Sequence, residues 1–90
     1  MHDGGVNRTA NGSRVRDLMR FRRLMASGAA RAIREAADLS YQEAEAVSGV
    51  HKTTIFRWES HERIPHGDAA IRYLTFLDEL SGLRKEAARD

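Results

Sequence analysis

Three local signals between residues 40 and 65 leave this chain little conformational freedom. Ser40-Tyr41-Gln42-Glu43 is a capping-box pattern. Its Ser hydroxyl and Glu carboxylate satisfy each other's backbone donors, so a helix starts at Tyr41. Gly49 tolerates the left-handed conformation that ends a helix, which limits this one to about Ser48. A further helix begins at His51 or Lys52 and runs through Trp58-Glu59, with Ile55 and Trp58 on one face. Pro65 prevents its continuation.

The rest of the chain reads as helix as well. Residues 1–12 hold Gly4, Gly5, Asn7, Asn11 and Gly12 with almost nothing apolar, and are expected to form a flexible arm. From Ser13 as N-cap, Val15, Leu18, Met19, Phe21, Leu24 and Met25 recur at helical spacing, with arginines on the other face. Ser27-Gly28 interrupts that helix, and an Ala-rich helix follows from Ala29 to Asp38. After Pro65, Asp68 sits at the positive end of a last helix carrying Ile71, Tyr73, Leu74, Phe76, Leu77, Leu80 and Leu83. Residues 84–90 form a charged tail expected to fray. The expected fold class is all-α, a small bundle of about five helices over residues 13–83. Ninety residues with 41% hydrophobic content suffice for one core only. With no cysteine, that core must hold by packing or through a partner chain.

Charge is unevenly spread along the chain. From Arg8 to Arg34 there are eight arginines against Asp17 alone, a local charge of +7 inside a chain whose net charge is +2. Such a field favours a polyanionic partner. Two short helices joined by a tight glycine turn, the second followed by a stop, make the outline of a helix-turn-helix. The stretch Gly49-Val50-His51-Lys52-Thr53-Thr54-Ile55-Phe56-Arg57-Trp58-Glu59, followed by Pro65, resembles the phage repressor and Cro-type helix-turn-helix (XRE) family, with the resemblance extending over about residues 29–80. A recognition helix must bury one face, here Val50, Ile55 and Trp58, while presenting polar groups to base edges from the other.

The resemblance implies a small transcriptional regulator that binds double-stranded DNA sequence-specifically, with its recognition helix in the major groove. It places base reading on Lys52, Thr53, Phe56 and Arg57. Backbone contacts fall on Tyr41, Gln42, His51, Thr54, Ser60, Arg63 and His66. It also implies a buried structural ion pair between Arg34 and Glu59. Arg8, on the arm, is a further candidate for contact with DNA. The broad apolar surface of the last helix is expected to serve a homodimer on DNA or to be covered by the helix over residues 13–26. The chain departs from the family pattern in three places. Glu45, between Ala44 and Ala46, stands where a small residue normally lets the two helices cross, which leaves open a wider crossing or a helix rotated by one residue. His61 occupies a loop position usually held by Gly, where a left-handed backbone is required. A helix over residues 13–26 is additional, and the last helix reads as curtailed.

Other classes fare worse. His61-Glu62-Arg63-Ile64-Pro65-His66 has the composition of a zinc-protease motif, but its histidines are about 140° apart around a helix. No phosphate loop or nucleophile signature is readable, so neither enzymatic activity, a metal nor a cofactor is expected. The alternative function is an antitoxin-like or accessory phage factor acting through protein contacts, with the basic helix as docking surface. No apolar run reaches the roughly 20 residues of a spanning helix, and the start lacks the regions of a signal peptide. The expectation is a cytoplasmic protein that engages no membrane.

Overall fold

Each connection between helices in this computed structural model contains a residue whose backbone turns left-handed. The structure describes the backbone of residues 4–89 and the side chains of residues 13–83. Helix α1 spans Gly4–Ser27, α2 Ala29–Ala36, α3 Tyr41–Ser48, α4 Lys52–Glu59 and α5 Gly67–Arg89, with no strand among the described residues. The turning residues are Gly28, Asp38, Gly49, His61 and Gly67. At Gly49, φ is 78°, and an added Cβ would meet nothing closer than Arg72 Nε at 3.9 Å. The requirement for glycine there is therefore conformational, not one of space. His61 accepts the same conformation with a side chain, at φ 66°.

Two helices extend beyond expectation, and α2 stops at Ala36, short of the expected Asp38, whose φ of 60° leaves the right-handed helical region. Helix α1 starts at Gly4 instead of Ser13, so the backbone of the stretch read as an arm is helical. Helix α5 continues through the expected tail to Arg89, and it is long where the family comparison read it as curtailed. The common reason is cooperativity: once a helix is nucleated, each further residue adds a hydrogen bond for one residue fixed, and no proline interrupts either extension. The side chains of residues 4–12, Arg8 included, lie outside the described residues, as do those of residues 84–90.

The core forms where α1, α4 and α5 meet. Phe21 of α1 stands edge-on to Trp58 of α4, with ring centroids 5.4 Å apart and planes at 83°, and lies 6.0 Å from Tyr73 of α5. Trp58 and Tyr73 complete the triangle at 6.0 Å, and Phe76 extends it from Tyr73 at 5.1 Å. Such pairs contribute about 0.5–1.5 kcal/mol beyond their area burial. Met25, Ala30, Ala44, Val50, Ile55, Ala70, Leu74 and Leu77 fill the remaining buried volume. The Tyr73 hydroxyl has no hydrogen-bond partner among the described residues, and burial pushes its pKa well above the ordinary phenol value.

Helix α1 is thus part of the core, and it covers much of the apolar breadth of α5 that was otherwise expected to face a second copy. Tyr73, Leu74, Phe76 and Leu77 are all buried within the chain, while Leu83 remains exposed. The basic face of α1 also ties down α5. Arg14 pairs with Asp68, and Arg20 makes a bidentate pair with Asp78 at 2.8 and 3.2 Å.

Candidate nucleic-acid interface

The turn between α3 and α4 is built almost wholly from side chains that cap backbone. Ser40 Oγ accepts from Glu43 N at 3.1 Å, and the Glu43 carboxylate accepts from Ser40 N at 2.9 Å. These bonds to the charged form hold the Glu43 carboxyl below the usual carboxylate range. At the other end of α3, Gly49 N donates to the Glu45 carbonyl, and Val50 N to Ser48 Oγ. The Glu45 carboxylate then crosses to α4, where it accepts from Lys52 N at 3.2 Å. His51 is the N-cap of α4, its Nδ1 accepting from Thr53 N at 3.1 Å. Two of the donors left open at the start of that helix are therefore satisfied by side chains.

Burial separates Ala44 from its neighbour Glu45. Ala44 is fully buried and Glu45 only partly, so Ala44 is the small residue that α3 turns into the core. The carboxylate that looked misplaced sits where it can cap the following helix. Its position seven residues before Lys52 was a signal available in the sequence, although only the crossing geometry reveals its use.

Glu59, at the end of α4, anchors the helix to the bundle. Arg34 of α2 donates to it twice, Nε to Oε2 at 2.8 Å and Nη2 to Oε1 at 2.9 Å, with both side chains buried. The remaining Arg34 donor Nη1 reaches the Leu39 carbonyl at 2.7 Å. The hydrogen bond to Glu59 holds the Arg34 pKa above its ordinary value. Tyr41 donates its hydroxyl to Glu59 Oε1 at 2.8 Å, and its ring lies 4.2 Å from the Arg34 guanidinium carbon. Burial, then the bond to Glu59, raises the Tyr41 pKa. Of the residues expected to touch a nucleic-acid backbone, Tyr41 thus spends its one donor inside the fold, and His51 spends Nδ1. Neutral His51 keeps Nε2–H as its free donor.

With Ile55, Trp58 and Glu59 buried, α4 presents Lys52, Thr53, Phe56 and Arg57 on one exposed sector about 140° wide. Phe56 is 47% exposed although aromatic, and its ring stands edge-on to Tyr41 at 5.7 Å. Arg57 lies at the other edge of the sector, where Thr54, Arg57, Arg63 and His66 line a groove beside Trp58. Neither Arg57 nor Arg63 is paired with a carboxylate among the described residues, since Glu59 is held by Arg34 and Glu62 accepts from Ser60 Oγ at 3.1 Å. Gln42 is exposed at the start of α3, apart from that groove. His61 and His66 lie in the loop between α4 and α5, with His66 Nδ1 donating to the Ile64 carbonyl at 3.3 Å. Among the described residues no cluster of potential metal ligands occurs, and no helix is long and apolar enough to cross a membrane.

The residue that sequence reasoning missed is Arg22. Its Nε donates to the Pro65 carbonyl at 2.8 Å, tying α1 to the loop that carries Arg63 and His66. No local pattern announces a contact between residues so far apart in sequence.

Comparison with known proteins gives a family and nothing narrower. No curated protein and no solved structure matches the chain. A helix-turn-helix family model matches residues 31–82, from α2 into α5, leaving α1 outside the match. That match covers more than half of the chain and coincides with the capped α3–α4 unit and its exposed sector, so this protein belongs to the XRE-type helix-turn-helix family of DNA-binding regulators.

Proposed function

We propose that this regulator is of the phage repressor or Cro kind, acts in the cytoplasm, and lays α4 in the major groove of duplex DNA. One observation carries the reading. The exposed sector of α4 takes little part in holding the fold, and it borders a groove whose cations have no carboxylate partners. In this reading Lys52, Thr53, Phe56 and Arg57 meet base edges. Arg57 donates twice to a guanine, and Phe56 or Thr53 meets a thymine methyl. Gln42, Thr54, Ser60, Arg63 and His66 hold phosphates, with His51 contributing Nε2–H. Two copies bind together on half-sites about one helical turn apart. The exposed Leu83 is the apolar group that α5 retains for such contact.

Selection of binding sites from a random duplex pool by the purified protein tests the reading. It predicts a defined sequence, with two related half-sites if the dimer forms. Arg57→Ala then relaxes preference at one base position, a loss of roughly 1–3 kcal/mol of discrimination. Arg63→Ala weakens selected and scrambled duplexes alike and lowers the salt slope by about 1. Recovery of unselected sequence, together with tight salt-resistant capture of a polypeptide, would instead support the protein-interaction reading.

A further inference from the structure

The arginines of α1 and α2 divide into two groups by what they face. Arg14, Arg20, Arg31 and Arg34 each have a carboxylate, on Asp68, Asp78, Glu35 and Glu59 respectively. Among the described residues Arg22 has only the Pro65 carbonyl, a neutral acceptor that fixes the side chain and gives its charge no carboxylate. Together with His61 and Arg63 it lines a shallow depression beside Trp58 and Pro65 whose walls contain no acidic residue. Arg63 also lines the groove shared by Thr54, Arg57 and His66. A single basic track therefore runs from Arg57 through Arg63 to Arg22. Arg16 and Arg23 also lack carboxylate partners among the described residues, but they line neither groove.

We propose that Arg22 is a DNA-backbone contact supplied by α1, outside the matched family segment, which takes a duplex phosphate together with Arg63 and His61. The inference rests on the DNA-binding reading above. A guanidinium bound through Nε keeps its Nη donors for another acceptor, and a phosphate oxygen suits their fork. Fixing Arg22 on the Pro65 carbonyl lowers the ordering cost of the contact. Helix α1 thereby widens the footprint by one phosphate beyond what the α3–α4 unit and its loop provide.

Because a phosphate contact carries no sequence information, the test needs no operator. A mixed-sequence duplex of 24 base pairs is titrated at several KCl concentrations with wild type, Arg22→Gln, Arg22→Lys and Arg20→Gln. Arg22→Gln keeps a donor for the Pro65 carbonyl and removes the charge, so its slope of log affinity against log salt falls by about 0.9. Arg22→Lys restores most of the slope, and Arg20→Gln, whose charge Asp78 already compensates, leaves it unchanged. A wild-type slope in Arg22→Gln, or equal losses in Arg22→Gln and Arg20→Gln, overturns the assignment. Wild type that binds no duplex at 25 mM KCl refutes the DNA reading itself, a distinct outcome. Should Arg22→Gln fold poorly, the side-chain Nε–H resonances of the wild-type protein answer the same question. That of Arg22 shifts on addition of the duplex and that of Arg20 does not, and a stationary Arg22 signal overturns the proposal.

Discussion

Helix α1 and the α3–α4 unit are specified differently. The caps and turn of the α3–α4 unit are bonds between near neighbours, with Ser40 to Glu43, Ser48 to Val50 and His51 to Thr53 each closing a few residues of chain. The buried Arg34–Glu59 pair then anchors the finished unit to the bundle. Helix α1 depends on partners far along the sequence, namely Trp58 and Tyr73 against Phe21, Asp78 against Arg20 and Pro65 against Arg22. Locally specified structure recurs from protein to protein as a recognisable pattern, and the family match falls on it. Structure specified at long range is particular to one chain, and α1 lies outside the match. Lack of family pattern is therefore no sign that α1 is dispensable.

The sharpest way to break this comparison is to remove the main anchor from each region. Phe21→Ala empties the buried centre between α1, α4 and α5 and should cost about 3–5 kcal/mol. Glu59→Ala leaves Arg34 buried without its carboxylate and should cost a similar amount, about 3–5 kcal/mol. Chemical denaturation of both variants reads the two losses directly. A loss below about 1 kcal/mol for Phe21→Ala would make α1 an appendage and reverse the conclusion, since ordinary surface changes are no larger.

A smaller effect sharpens the local side. His61 holds a left-handed backbone that costs a side-chain-bearing residue roughly 1–2 kcal/mol. His61→Gly relieves that strain, and the greater freedom of glycine in the unfolded chain offsets part of the gain. A net stabilisation of about 0.5–1 kcal/mol is expected from thermal melting. Any loss of stability would show that the imidazole contributes to the fold.

The smallest effect concerns the cap of α3 and depends on pH. The folded state holds the Glu43 carboxyl below its ordinary value, so its contribution is present above the ordinary Glu range near 4.5 and is lost as pH falls through the depressed value. The melting temperature of Glu43→Gln should lie below that of wild type at pH 7, and the gap should close as pH falls below the ordinary Glu range. A gap independent of pH would mean that the carboxylate charge is irrelevant to the cap.

What could be read from the sequence follows the same division. The capping box and the Gly49 turn were legible because each needs only residues a few positions apart. Lys52, Thr53 and Arg57 of the exposed sector of α4 were legible because burial of Ile55 and Trp58 fixes its opposite, while Phe56 was placed there by the family resemblance. The start of α1 and the end of α5 were not legible, because polar composition limits packing and does not by itself end a helix. The pairing of Arg14 with Asp68 and of Arg20 with Asp78 was also hidden, since the sequence contains many arginines and carboxylates and only the packing of α1 on α5 selects among them. The use of Glu45 was hidden for a related reason: its bond to Lys52 N depends on how α3 and α4 pack, which no periodicity specifies.

The two side-chain caps at the start of α4 bear on how such a regulator changes targets. Glu45 and His51 satisfy donors that a phosphate would otherwise seek, and Glu45 sets a negative charge at the tip of the helix. On the proposed reading, attraction to a polyanion then falls mainly to the flanks, to Arg57, Arg63 and Arg22, while the tip is free to discriminate. Among the described residues Lys52 and Thr53 make no side-chain hydrogen bond, and the aromatic ring that Phe56 meets is Tyr41. On the same reading, substitutions at Thr53 and Phe56 alter what is read without loosening the bundle, so a lineage carrying this fold can move to a new operator in single viable steps.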